Sequence, residues 1–204
     1  MKIHKYNDEY AIKNGVGGSV EFLTAILIGI IGGITPAILL GSGTIKFILA
    51  LIIWVITILL CVYFIRRFGV INKSSMSVLI EDKDDLYYMM IAPNLRGSMF
   101  PKSFTTLLAG PSAIFTENKI DAEIEATGIA QDDETVKALF ELYKNNELKT
   151  TFDTVMYGKP VYVSKILEKN FKGNNKKIYK VNCVKDNGNK STVKIPKVYP
   201  TFFK

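Results

Sequence analysis

From Phe22 to Ile65 the chain is almost without charge, Lys46 being the single ionic side chain. Lys46 divides this stretch into uncharged runs of 24 residues, Phe22 to Ile45, and 19 residues, Phe47 to Ile65. A surface helix of a soluble protein needs a polar side, and neither run can supply one. Roughly 20 apolar residues cross a bilayer core, so each run is long enough to span.

Histidine is nearly missing as well. His4 is the only one, and it precedes the apolar runs. Read as lying outside the domain that follows, it leaves that domain without a Ser-His or Cys-His nucleophile pair or a histidine zinc site. Cys61 and Cys183 are too few for a disulfide framework and read as free buried thiols, which suits a reducing compartment. Arginine is scarce, 3 against 23 lysines, a bias that points to an AT-rich and bacterial genome.

Nucleotide-binding, kinase and hydrolase-elbow motifs are absent. Gly15 to Ser19 lacks the Lys-Ser/Thr ending of a phosphate loop and leads into an apolar helix, so it reads as a juxtamembrane hinge. Ser191 and Lys194 match a Ser-x-x-Lys pattern, but in a strand they point to opposite faces. The acidic run Glu81 to Asp85 lacks the glycine and distal glutamate of a calcium loop and reads as a solvated turn. No catalytic residue, cofactor or metal is therefore assigned.

What is present begins with the anchor. The expected fold is a membrane protein: an N-terminal two-helix transmembrane hairpin, then a small α+β cytoplasmic domain with a mainly antiparallel sheet. The boundaries are residues 1–19 for a juxtamembrane segment, 20–66 for the hairpin (spans about 20–41 and 46–66) and 74–204 for the soluble domain. The first apolar run exceeds the 7–15 residues of a signal-peptide core, and a second follows it directly. Arg66, Arg67 and Lys73 after the second run, with Lys2, Lys5 and Lys13 before the first, outnumber Lys46 in the loop. The positive-inside rule then puts both termini in the cytoplasm of a multi-pass cell-membrane protein, with Arg66 and Arg67 fixing the topology.

Within the first span Ala25, Gly29, Gly33, Ala37 and Gly41 recur every fourth residue, a stripe of small residues against which a second helix can pack. Its occupant is either the second span or another copy or membrane protein. Pro36 should kink this span, with Thr35 as a local partner for backbone groups.

In the soluble part, Ser77 to Ile80, Leu86 to Ala92, Phe104 to Ala109 and the alternating Lys119 to Ala126 read as strands. Ile178 to Val184 and Ser191 to Ile195 read as a hairpin turning at Asp186-Asn187-Gly188-Asn189. Val136, Leu139, Phe140 and Tyr143 mark a helix capped by Asp132 or Asp133 and ending near Asn145. A second short helix is expected over Ser164 to Lys169.

Charge is uneven. Residues 81–153 carry 14 acids against 7 bases, whereas residues 165–204 carry 11 lysines against 2 acids. On a domain tethered to an anionic leaflet, Lys172, Lys176, Lys177, Lys180, Lys185, Lys190, Lys194 and Lys197 are the candidate contacts with lipid or partner. Nucleic acid is not expected, since the basic stretch has no arginine and no RNA- or DNA-binding motif. The sequence thus favours a membrane-anchored, non-enzymatic module that binds a protein partner or anionic lipid headgroups at the cytoplasmic face. An accessory subunit of a membrane transport or secretion complex is the alternative, and a membrane-surface enzyme the second.

Overall fold

The computed structural model describes residues 1–16, 18–39, 44–93, 111–148, 161–168, 171, 176–185 and 187–203. Its centre is a six-stranded sheet in the order β1-β2-β3-β4-β5-β6, every neighbouring pair antiparallel. The strands are β1 (Lys2–Lys5), β2 (Ser77–Asp82), β3 (Asp85–Ile91), β4 (Val161–Ile166), β5 (Ile178–Lys185) and β6 (Lys190–Pro196). The helices are α1 (Asp8–Lys13), α2 (Gly18–Leu39), α3 (Thr44–Ser75), α4 (Pro111–Gln131) and α5 (Asp133–Lys144).

The two apolar runs form α2 and α3, packed against each other. Among the described residues, only α3 is long and apolar enough to cross a membrane, over Phe47–Ser75; α2 contributes the shorter apolar stretch Glu21–Pro36. Their outward side chains are bare: Ile31 and Leu59 are each 64% exposed and Ile38 is 77% exposed. At 1.5 Å per residue the 32 residues of α3 run about 48 Å without interruption. Its last turns enter the core against the sheet, where Ile71 is buried, and β2 starts two residues after its end.

The segment expected to be a juxtamembrane tail is instead part of the sheet. Lys2 to Lys5 pair with Glu81 to Val78, which covers the edge of β2. α1 follows, capped by Asn7, whose side chain accepts from the Tyr10 N–H. It ends in a Schellman motif: the Val16 N–H donates to the Ala11 carbonyl and the Gly15 N–H to that of Ile12. Gly15 takes the left-handed φ of +64° that this ending requires, so Gly15 is a fixed turn and not a hinge. The sheet-forming domain is therefore discontinuous, and the α2–α3 pair is inserted between the adjacent antiparallel strands β1 and β2.

Strand alternation sends side chains to two cores. Val78, Ile80, Met89, Ile91 and Val163 meet Ala126, Ala130, Val136, Leu139 and Phe140 of α4 and α5. On the opposite face Leu79, Tyr88, Tyr179, Val181 and Ile195 meet Ala11, Val16, Ile71, Val198 and Tyr199. Burying one side chain such as Phe140 or Ile195 contributes about 1.5–3 kcal/mol.

The β2–β3 and β5–β6 hairpins and the Asp132-capped helix α5 stand where the sequence places them. Two readings are corrected. Lys119 to Ala126 is not a strand but lies within α4, where Ala122, Ala126, Ile129 and Ala130 are buried at helical spacing while Ile120 and Ile124 face outward. Ser164 to Ile166 is not helical but ends β4, in register with Tyr88 to Leu86 of β3. The expected strand Phe104 to Ala109 lies outside the described residues.

Candidate functional site

The helix pair sets the position of the site. Contact between α2 and α3 runs through Glu21, Ala25 and Gly32, which are buried. At Gly32 the helices approach so closely that a Cβ would stand 2.1 Å from the Thr57 Oγ1 and 2.4 Å from its Cγ2. The five-residue stripe follows a different line. Ala25 lies in the contact, with the Cys61 Sγ 3.5 Å from its carbonyl. A Cβ on Gly29 would reach Cys61 at 3.8 Å, and one on Gly33 would meet nothing within 4 Å. Each four-residue step turns a helix by about 40° beyond a full circle, so the stripe winds away from the partner helix. The Ala37 side chain and Gly41 lie outside the described residues. Thr35 donates its hydroxyl to the Ile31 carbonyl beside Pro36.

Where the exposed apolar surface of α3 stops, at Ile65, the cations begin. Arg67 meets Glu21 of α2 at 2.6 Å and lies over the Tyr63 ring, donating to the Tyr63 hydroxyl at 3.1 Å. The Phe22 and Phe68 rings meet at a tilt across the two helices, 5.4 Å between centroids. Arg66 stands on the side that faces the sheet. It shares a crevice of about 760 Å³ with Lys176, Lys177, Lys180 and Lys194, bounded by Leu59, Val62, Tyr63 and Val70, and among the described residues no carboxylate lines it. β5 and β6 bring these lysines together, since Lys180 pairs directly with Lys194 in their register. Two like charges directly opposite on neighbouring strands destabilise a sheet, so the pair is costly unless an anion lies over it.

A second hollow of about 740 Å³ continues from the crevice, sharing Val70 and Lys194, and adds Lys73 and Lys185. Lys190 is exposed at the start of β6, and Lys197 is half-buried, its N–H donating to the Lys177 carbonyl. Lys172 lies outside the described residues. The structure thus brings Lys176, Lys177, Lys180, Lys185 and Lys194 into one trough. It joins to them Arg66, which the sequence assigned to topology, and Lys73, which no pattern in the sequence linked to the C-terminal lysines.

The acidic half is used internally. Asp82 pairs with Lys144 of α5 at 3.0 Å and Asp85 with Lys165 at 2.6 Å. The Lys144 hydrogen bond holds the Asp82 carboxyl below its usual range, and the bond to Asp85 raises Lys165. Glu81 Oε2 stands 3.2 Å from the Nε2 of His4, whose Nδ1 is 2.8 Å from the Thr201 hydroxyl. His4 therefore belongs to the sheet-forming domain, contrary to its position in the sequence. A hydroxyl, an imidazole and a carboxylate in that order have the makings of an acyl-transfer triad. Yet His4 is 1% exposed beneath Phe202, and neither hollow of the trough is lined by His4 or Thr201. Its evident work is to fasten the C-terminal tail to the sheet edge. Cys183 is a free buried thiol at the floor of the second hollow, and Cys61 is a free thiol between the helices. Among the described residues, no three His, Cys, Asp or Glu side chains group to hold a metal ion.

No family model, curated protein or solved structure matches this chain.

Proposed function

We propose that this chain is a membrane-anchored module whose basic trough engages anionic lipid headgroups at the cytoplasmic face. The observation that carries the reading is the crevice itself. It joins Arg66, at the end of the exposed apolar surface of α3, to four lysines contributed from over a hundred residues further along. In this reading α2 and α3 are a two-span hairpin. Both its outer ends continue into one sheet, at the adjacent strands β1 and β2, so the bilayer is crossed an even number of times. The positive flanks then put that sheet, and both termini, in the cytoplasm. Each lysine held at an anionic surface contributes about 1 kcal/mol, so four contribute about 4 kcal/mol, or nearly a thousandfold in affinity.

The test uses the full chain in lipid nanodiscs, with amine-reactive footprinting read by mass spectrometry. Lys176, Lys177 and Lys180 should be modified more slowly in anionic than in zwitterionic bilayers. The protection should fade as salt shortens the Debye length below about 8 Å. Equal modification in both bilayers refutes the reading.

A second reading, an accessory subunit of a membrane complex, is favoured by the bare edge of α2. Gly29 and Gly33 are exposed, and a Cβ on Gly33 would meet nothing within 4 Å among the described residues. Another helix, from a second copy or a membrane partner, could lie flush along them. A stable stoichiometric membrane partner in mild detergent would support it, and a solitary monomer would count against it.

A further inference from the structure

The tail-covered face of the sheet is only partly covered. Register puts Tyr88 beside Ser164, Met90 beside Tyr162, Ser164 beside Lys185 and Cys183 beside Ser191, all on that face. α1, the end of α3 and the C-terminal tail bury the part that holds Tyr179, Val181 and Ile195. The remaining part floors the second hollow of the trough, with Val70 and Lys73 of α3 along its side. Its volume of about 740 Å³ lies within the roughly 300–1,000 Å³ of small-ligand sites.

The lining is chemically biased. Lys73 and Lys185 supply two cations on this face, and among the described residues no carboxylate lines it. Hydroxyls come from Ser164, Ser191 and Tyr162, the last half exposed. Cations without counter-charges, set beside several hydroxyls, match an anion that itself carries hydroxyls. Location narrows the source. The hollow shares Val70 and Lys194 with the Arg66 crevice. Lys73 stands seven residues beyond Arg66, about 10 Å further along α3. A bilayer's polar layer on one side is only about 5–7 Å thick. Cations at that height reach past the phosphates of ordinary lipids.

We infer that this cleft is a headgroup site for a phospholipid that carries a phosphorylated polyol. The outer phosphate lies against Lys73 and Lys185, and the ring hydroxyls against Ser164, Ser191 and Tyr162. The inference rests on the membrane reading above for the plane of the bilayer. It goes beyond that reading in naming a discrete site and a headgroup class.

The experiment uses the full chain in phosphatidylcholine nanodiscs doped with a small fraction of either phosphatidylglycerol or phosphatidylinositol 4-phosphate. A third arm leaves the bilayer undoped and adds soluble inositol 1,4-bisphosphate. Amine footprinting is read at Lys73 and Lys185, with exposed Lys137 on α5 as the internal control. Phosphatidylinositol 4-phosphate should slow modification of Lys73 and Lys185 several-fold, and phosphatidylglycerol should not. In Lys185→Gln, which keeps the strand, the protection at Lys73 should fall. Protection of Lys176, Lys177 and Lys180 without Lys73 and Lys185 overturns the cleft and leaves the surface reading standing. Protection of Lys73 and Lys185 alone upholds the cleft and refutes the surface reading. Equal protection by phosphatidylglycerol overturns the headgroup class. Equal protection by the soluble bisphosphate overturns the lipid as source.

Discussion

Replacing Gly32 by alanine should force α2 and α3 apart, whereas the same change at Gly33 should not. The added Cβ at position 32 would stand 2.1, 2.4 and 2.7 Å from the Oγ1, Cγ2 and Cβ of Thr57. Ordinary carbon contacts lie at about 3.5–4.0 Å. Rotating Thr57 about χ1 moves Oγ1 and Cγ2 but leaves its Cβ in place. The helices must then separate locally by about 0.8–1.3 Å, the shortfall between 2.7 Å and a normal contact. Overpacking of this kind costs about 1–3 kcal/mol. A glycine-to-alanine change in a helix interior also brings about 1 kcal/mol of helix propensity. That gain is common to both variants and cancels when they are compared. The expected difference between Gly32→Ala and Gly33→Ala is therefore the clash itself, about 1–3 kcal/mol.

Reversible unfolding of the full chain in mixed detergent micelles, followed by far-ultraviolet dichroism, measures it. Gly29→Ala, with its nearest contact at 3.8 Å, serves as a second control. Thr57→Gly removes all three clashing atoms, so Gly32→Ala on that background should cost nothing, and the double-mutant cycle should return the same 1–3 kcal/mol, approximately, as coupling. Coincident unfolding of Gly32→Ala and Gly33→Ala, or no rescue by Thr57→Gly, refutes the packing argument.

Three further outcomes are expected. Asp82 is held below the usual carboxylate range by Lys144, so their bond stabilises fully above the unfolded carboxylate value of about 3.9 and is lost as pH falls through the lower folded value. Lys144 is raised by its bonds to Asp82 and Glu141, so at the alkaline end the stabilisation is full below about 10.4 and is lost as pH rises through the raised folded value. Lys144→Met should flatten urea-denaturation stability against pH at both ends, and an unchanged profile refutes the assignment. Tyr199→Phe removes the buried hydroxyl contact with Ser77 at 2.9 Å and should cost about 1 kcal/mol in thermal unfolding. Deleting residues 1–7 removes β1 and bares the edge of β2, so the product should aggregate on size exclusion where the full chain does not. A monodisperse product would mean that β1 is dispensable.

The sequence was most legible where one local signal decides. The acidic β2–β3 turn, the Asn187-Gly188 hairpin and the Asp132 cap depend on neighbours within a few residues, and all three stand in the structure. The misreading of Lys119 to Ala126 has a physical cause. Periods of 2 and 3.6 residues share the i, i+4 step, so Ala122 and Ala126 fit either pattern. The deciding residues lay outside the window: Ile129 and Ala130, buried at +3 and +4 from Ala126, belong to a helix only. The small-residue stripe meets α3 at Ala25 and Gly29 and then winds away from it, since an exact four-residue repeat drifts off a straight helix. Glycine at position 32, out of step with the stripe, is where the helices touch. The role of β1 was illegible because four residues carry too little periodicity to be a strand without a partner. That partner lies more than seventy residues away.

Insertion of the helix pair between β1 and β2 explains why a trough exists at all. Adjacent antiparallel strands leave and re-enter the sheet on the same side, so α2 and α3 are held together at their domain ends by backbone pairing. The Glu21–Arg67 ion pair adds a side-chain tie at the same level. α3 then continues from Arg66 to Ser75 before the sheet begins, about 15 Å of rigid helix. That length holds β5 and β6 off the last apolar turn and leaves room for Lys176, Lys177, Lys180 and Lys194 to face Arg66 across a gap rather than pack against it. A flexible linker in place of these residues would let the sheet carry its lysines away from Arg66, which repulsion between them would favour. The continuous helix keeps like charges at close quarters beside the apolar surface. An anion held there is drawn by several cations at once, and it removes a repulsion that the fold otherwise sustains.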